Sequence, residues 1–208
     1  MAKLKGPLFS LGASGKIAKT FVFFGWKGLN VAREYVIPIN PNTDPQKTQR
    51  GYLRDAVAAI HAALALADDP LNGTDVMAYS LLGALQPTPR TWFNTIVKGW
   101  IDQNVAALED VIYHAGSAVA GAEKLTVTMQ YTLQEHEDAI DITAGYLHYG
   151  TSKTALYNKL ACTGAELKAG KDITDLEPGT KYFVQYRPTE HVSFLGANSG
   201  IYYGTPTA

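Results

Sequence analysis

The 208-residue sequence holds one cysteine, Cys162. A lone cysteine closes no intrachain disulfide and builds no paired-cysteine metal knuckle, so the fold needs neither an oxidising compartment nor a zinc framework. Long apolar runs are missing too. Nothing approaches eighteen uninterrupted apolar residues, and no membrane span is expected. The stretch from Lys3 to Lys19 is broken by Gly6, Pro7, Gly12 and Gly15, which leaves no apolar core for a secretory signal. Catalytic motifs are equally scarce. His61, His114, His136, His148 and His191 form no HExxH, and none pairs with a cysteine at metal-ligand spacing. There is no G-x-S-x-G elbow. Gly12-Ala-Ser-Gly-Lys16 lacks the phosphate-loop spacing and puts Ile17 where a hydroxyl is needed. Glu135-His-Glu-Asp138 reads as a solvated loop, and the carboxylate pairs Asp68-Asp69 and Glu109-Asp110 as helix surfaces or ends. The expectation is a protein that is not an enzyme and holds no cofactor or metal.

What is present is a globular composition, 46% hydrophobic and 18% charged, in a chain long enough for one large domain or two small ones. The net charge of -1 implies no polyelectrolyte partner, so nucleic acid is not expected. That average hides an asymmetry. Residues 1–50 carry eight Lys or Arg against Glu34 and Asp44, a balance of +6, whereas the other 158 residues carry ten basic and seventeen acidic side chains, or -7. A basic arm on an acidic body suits contact with an acidic protein surface or nucleic acid, a solvated face being the plainer alternative.

The texture changes twice along the chain. Lys19–Gly25 and Asn30–Ile37 read as strands joined by a turn at Trp26-Lys-Gly28, and Pro38, Pro41 and Pro45 mark 38–45 as an extended connector. Residues 46–115 read as helical. Asn42-Thr-Asp44 and Pro45 suit a helix start, and Tyr52, Leu53, Ala56, Val57, Ile60, Ala63, Leu64 and Ala67 draw an apolar stripe. A second helix is expected over Thr74–Gln86, capped by Thr74, and a third over Arg90–His114, with Gly116 and Gly121 in a linker. From residue 123 the period becomes two. Leu125–Leu133 alternates apolar and polar, and further strands are expected near 140–149, 156–162, 182–187 and 199–204. Cys162 falls in one of these as a buried thiol. Tyr146, Tyr149, Tyr186, Tyr202 and Tyr203 are too many to be all internal, and some could form an adhesive patch.

Leu176-Glu-Pro-Gly-Thr-Lys-Tyr182 is similar to the Leu-x-Pro-Gly-Thr-x-Tyr pattern of fibronectin type III domains. Pro178-Gly179 would make the turn, and Tyr182 would fold its hydroxyl back onto the turn backbone as a tyrosine corner, with Leu176 beneath. Gly145–Gly150 resembles that family's central strand and Gly200–Pro206 its last. The early strand lacks a tryptophan, and Met129 or Tyr131 would take its place. The resemblance implies a spacer or binding module rather than a catalyst.

In the N-terminal half, Gly15-Lys-Ile-Ala-Lys19, Trp26-Lys-Gly28, Arg33, Asn40-Pro-Asn-Thr43, Gln46 and Gln49-Arg50 together resemble a family of tailed-bacteriophage and prophage virion proteins. The resemblance implies a virion component rather than a particular role. Trp26, Lys27, Arg33, Gln46, Gln49 and Arg50 are the candidate subunit-docking residues; alternatively they only tie the hairpin to the first helix.

The expected architecture is α+β: residues 1–122 as a basic hairpin arm plus helical docking domain, then 123–208 as an immunoglobulin-like, fibronectin type III-like β-sandwich. The expected role is a bacteriophage virion structural protein made in the bacterial host cytoplasm. Within the particle it would be a capsid decoration or cement subunit that docks through its N-terminal half and projects the sandwich. The alternatives are a tail or head–tail junction protein, such as a collar or fibre-linking subunit, and a carbohydrate-binding adhesion module. The expected partners are other virion proteins, namely major capsid, head–tail or tail subunits, in an oligomeric arrangement. A host-surface glycan is a further candidate, and neither membrane nor nucleic acid is expected.

Overall fold

The computed structural model describes residues 3–4, 13–17, 20–37, 42–133, 142–189 and 194–208. The fold is α+β with antiparallel sheets, and the chain forms two compact units, Met1–Thr43 and Asp44–Ala208.

The first unit is one sheet of four strands in chain order: β1 (Lys3–Leu4), β2 (Ala13–Ile17), β3 (Phe21–Trp26) and β4 (Leu29–Glu34). Each strand pairs antiparallel with the next. Lys27 and Gly28, at φ 50° and 80°, connect β3 to β4. Two successive residues of positive φ give the primed turn whose twist matches paired strands, and glycine supplies the second at no steric cost. Of the expected connector, residues 38–41 lie outside the described residues.

The second unit begins with three helices: α1 (Asp44–Leu64), α2 (Gly73–Ala84) and α3 (Trp92–Val105). Pro45 sits in the first turn of α1, where a missing N–H is harmless. Ala56, Ile60 and Ala63 form the buried stripe of α1, at spacings of four and three. The N-cap of α2 is Asn72 rather than the expected Thr74. Its side chain accepts from Thr74 N and Asp75 N, while Asp75 Oδ2 accepts from Asn72 N at 2.8 Å, a reciprocal capping box. Thr91 caps α3 by accepting from Asn94 N.

The third helix does not run to His114. It stops at Val105, and the chain turns through Ala107 at φ 56° into β5 (Val111–Gly121). β5 forms a long hairpin with β6 (Lys124–Leu133), so Gly116 and Gly121 lie in a strand and not in a linker. The register slips between His114 and Ser117, and Gly116 sits in that bulge. A Cβ at Gly116 would come 2.2 Å from the Tyr202 ring, so no larger residue fits there. The boundary expected at 122/123 falls in the turn of this hairpin, and helices and strands belong to one unit.

The remaining strands are β7 (Gly145–Gly150), β8 (Asn158–Ala161), β9 (Lys171–Ile173), β10 (Tyr182–Pro188) and β11 (Tyr202–Gly204), with the short helix α4 (Gly164–Ala169) between β8 and β9. One sheet has the order β5-β6-β9 and the other β11-β10-β7-β8. Neither α4 nor β9 is among the sequence expectations, although Thr163 and Glu166 spell the capping box that starts α4. The alternation in β6 is realised, with Leu125, Val127, Met129 and Tyr131 turned inward. They share one apolar cluster with Leu147 of β7, Ile173 of β9, Val184 and Tyr186 of β10 and Tyr202 of β11. Fully burying an aliphatic side chain contributes about 1.5–3 kcal/mol, so this cluster dominates the stability of the unit. A second cluster joins α1, α2 and α3 to Ile112 of β5.

Leu176 is buried in the strand cluster, Gly179 takes φ 78° and donates its N–H to Pro206 O at 2.9 Å, and Pro178 precedes it in the turn. The Tyr182 hydroxyl accepts from Glu177 N at 3.2 Å. Tyr182→Phe deletes that acceptor and leaves the ring in place. It is expected to lower stability by about 1 kcal/mol, read as a shifted urea midpoint with unchanged slope.

Candidate docking surface

The N-terminal sheet gathers its aromatic side chains by register. Trp26 pairs with Leu29, Phe24 with Val31, and Val22 with both Arg33 and Lys16. Directly opposed residues share a face, so Trp26, Leu29, Phe24, Val31, Val22, Arg33 and Lys16 form one side of the sheet. Phe21 and Phe23 belong to the other side, opposite Glu34 and Ala32. The local cause is the run Phe-Val-Phe-Phe, which is apolar at every position and therefore presents apolar groups on both faces. Strands of that kind are ordinarily covered on both sides.

Here they are not. Among the described residues of 15–37 none is buried; Phe21 is 50%, Trp26 61% and Leu29 69% exposed. A unit of 43 residues is small, and small units bury a smaller share of their surface than large ones. Cations stand over the rings. Lys27 Nζ lies 5.6 Å from the Trp26 centroid, Arg33 Cζ 5.2 Å from Phe24, and Lys16 Nζ 5.2 Å from Tyr35. Each such pair contributes only about 0.5–1 kcal/mol at an exposed site, and more once water is excluded. The surface is therefore apolar, aromatic and positively charged.

Trp26, Lys27 and Arg33 thus come together on this hairpin. Gln46, Gln49 and Arg50 lie instead on the exposed first turns of α1, in the second unit. Asn40 and Pro41 of the resembling pattern fall outside the described residues. Sequence reasoning missed Phe24, Leu29, Lys16 and Tyr35 as members of this face, and Phe21 as an exposed ring on the other. The signal was available in the unbroken apolar run of β3, which no single covered face explains.

Elsewhere the chemistry is quiet. Among the described residues no group of three His, Cys, Asp or Glu could hold a metal ion. His114 is buried, with Nδ1 2.7 Å from Asp69 O and Nε2 2.9 Å from Thr132 Oγ1, which satisfies both ring nitrogens. Burial and nearby Arg187 lower the pKa of His148, and His61 lies exposed on α1. His136 and His191 fall outside the described residues. Cys162 is buried, and burial with the neighbouring Glu166 carboxylate pushes its thiol up to about 12, which keeps it protonated and unreactive at neutral pH. Ser14-Gly15-Lys16 lies in strand β2, not in a phosphate-binding loop. Of the five tyrosines that could form a patch, Tyr186 and Tyr202 are internal, Tyr146 and Tyr149 half-buried and Tyr203 exposed. Comparison with known proteins finds no family model, no curated protein and no solved structure that matches this chain.

Proposed function

We propose that the protein is a non-enzymatic structural subunit of a bacteriophage virion, a capsid decoration or cement protein that docks through its N-terminal sheet. The observation that carries this reading is the exposed aromatic and cationic sheet of Met1–Thr43, in a chain whose second unit has a core of its own. A sheet that cannot bury its apolar faces alone is a surface made for a partner. The resemblance of Trp26-Lys-Gly28, Arg33 and Asn40–Thr43 to virion proteins supports reading that partner as another particle subunit. Within the second unit we read the seven strands β5 to β11 as a fibronectin type III-like sandwich. Two antiparallel sheets of three and four strands sharing one apolar cluster, with the Tyr182 hydroxyl closed on its turn, support that reading.

Two measurements test it. The first counts this protein against the major shell protein in purified particles by quantitative mass spectrometry. On the order of hundreds of copies is expected, whereas about six to twelve would fit one closed ring at a tail or junction. Absence from particles would discard the virion reading. The second compares binding to shells stripped of the protein. Replacing both Trp26 and Arg33 by alanine is expected to weaken docking about thirtyfold, the equivalent of about 2 kcal/mol, because exposed aromatic and arginine anchors dominate interfaces. Unchanged binding would remove this face from the docking surface.

A further inference from the structure

The segment 194–201 is held from beneath by side chains distant in sequence. Gln103 Nε2 donates to Leu195 O at 3.3 Å, the Tyr113 hydroxyl to Ala197 O at 3.0 Å, and Gln185 Nε2 to Ser199 O at 2.9 Å. Ser199 Oγ accepts from Tyr186 N at 2.9 Å. Gly196 takes φ 89°, and a Cβ there would stand 3.3 Å from Gln103 Nε2. This loop is therefore a fixed wall. Together with α2 and α3 it lines a cleft of about 180 Å³.

The lining includes Gln86, Arg90, Thr95, Trp100, Gln103 and Asn198. Gln103 is 7% exposed, and while its Nε2 holds the wall, its Oε1 is buried with no partner. One helical turn earlier, the indole N–H of Trp100 is also buried and unpartnered. Native proteins leave few such atoms unpaired, and an unmet acceptor beside a cleft points to a group that fills it. Arg90 has no ion-pair partner among the described residues, whereas Lys98 is taken up by Asp102.

We propose that this cleft binds a single saccharide unit, the end residue of a glycan. Its size is well below the roughly 300–1,000 Å³ of sites for drug-sized ligands, which restricts the occupant to about one ring. Its chemistry calls for a group that both donates and accepts. A hydroxyl does both, so one sugar hydroxyl can donate to Gln103 Oε1 while accepting from an indole or guanidinium N–H. A ring of hydroxyls offers further pairs to the amides of Gln86 and Asn198 and to the Arg90 fork. Phosphate or carboxylate fits less well, because its oxygens would face Gln103 Oε1, which only accepts. The site lies within Asp44–Ala208 and is independent of how the N-terminal sheet docks.

The test uses the full chain and ligand-observed NMR titrations with glucose, galactose, mannose, rhamnose and N-acetylglucosamine, and with inorganic phosphate as the anion control. Saturable binding of at least one sugar is expected with Kd on the order of 1 mM. Gln103→Leu, which at similar volume deletes the acceptor together with the amide that holds Leu195 O, is expected to weaken it about tenfold or more. Asn198→Ala changes an exposed rim residue, leaves the fold intact and is expected to weaken it about threefold to tenfold. No saturable response to any sugar, a response indifferent to both substitutions, or tighter binding of phosphate than of every sugar would overturn the proposal.

Discussion

Asp75→Ala is expected to remove about 4–5 kcal/mol from the stability of Asp44–Ala208, enough to leave much of the unit unfolded at 37 °C. Asp75 is 0% exposed, and its carboxylate is saturated by four donors. Oδ1 accepts from Gly116 N at 2.8 Å and from the Tyr202 hydroxyl at 2.7 Å; Oδ2 accepts from Asn72 N at 2.8 Å and Ala115 N at 2.9 Å. One side chain thus closes the start of α2, satisfies both amides of the β5 bulge and ties down β11. Alanine leaves four donors unpaired, the Gly116 amide and Tyr202 hydroxyl buried and the Asn72 and Ala115 amides part-buried, at about 1–3 kcal/mol for each buried one, with water recovering part of the rest. Asp75→Asn keeps the shape but turns one acceptor into a donor facing other donors, and about 2–3 kcal/mol is expected to be lost. Urea midpoints of the full chain, read by tryptophan fluorescence, check both values. A loss below about 1 kcal/mol for alanine would mean that the clamp is not a structural keystone.

Asp110→Asn is expected to act in the opposite direction, by an amount that grows as pH rises from about 4 and is complete just above about 7. The Asp110 carboxyl is 1% exposed; Oδ2 accepts from Asn104 Nδ2, and Oδ1 has no partner. Burial pushes its pKa up to about 7, with the Asn104 hydrogen bond opposing and the Glu109 charge assisting. In the unfolded chain the same group titrates near about 3.9. Between about pH 4 and pH 7 the folded chain therefore keeps a proton that the unfolded chain has released. This contribution to stability is greatest below the unfolded pKa and is lost as pH rises through the folded one. At pH 8 the asparagine variant is expected to be more stable than the parent by about 2–4 kcal/mol, and at pH 4 about equal to it. Denaturation midpoints of both proteins at the two pH values provide the measurement, since every other titrating group is common to both. A pH-independent difference would show that Asp110 does not carry a raised pKa.

The two effects share a cause that no local sequence pattern announces. Asp75 reads as an ordinary acidic residue in the first turn of a helix, where it helps the dipole and completes a capping box. Its other partners lie 40, 41 and 127 residues away. Glu109-Asp110 reads as a solvated pair at a helix end, yet the chain leaves the helix at Val105 and carries Asp110 inward ahead of β5. The same departure explains the misplaced domain boundary. Val105, Leu108 and Ile112 continue the helical spacing of α3, but Ile112 and Tyr113 are buried as strand residues, paired with Thr132 and Tyr131 of β6. Strand pairing over twenty residues outweighs a helical period that continues only by coincidence.

The sequence by itself determined the features whose cause is local. The inward residues of β6 follow from a two-residue period, and the buried stripe of α1 from spacings of three and four. The β3–β4 turn follows from glycine at a position of positive φ, and the Tyr182 contact from a short turn motif. Tertiary structure alone decided that residues 111–121 form a strand, that helices and strands share one unit, that Asp75 is a buried clamp, and that Gln103 stands over a cleft with an unpaired oxygen. Each of these depends on which distant groups meet once the chain is packed, and the energy of a buried polar atom or a strand edge is set by those partners rather than by its neighbours in sequence.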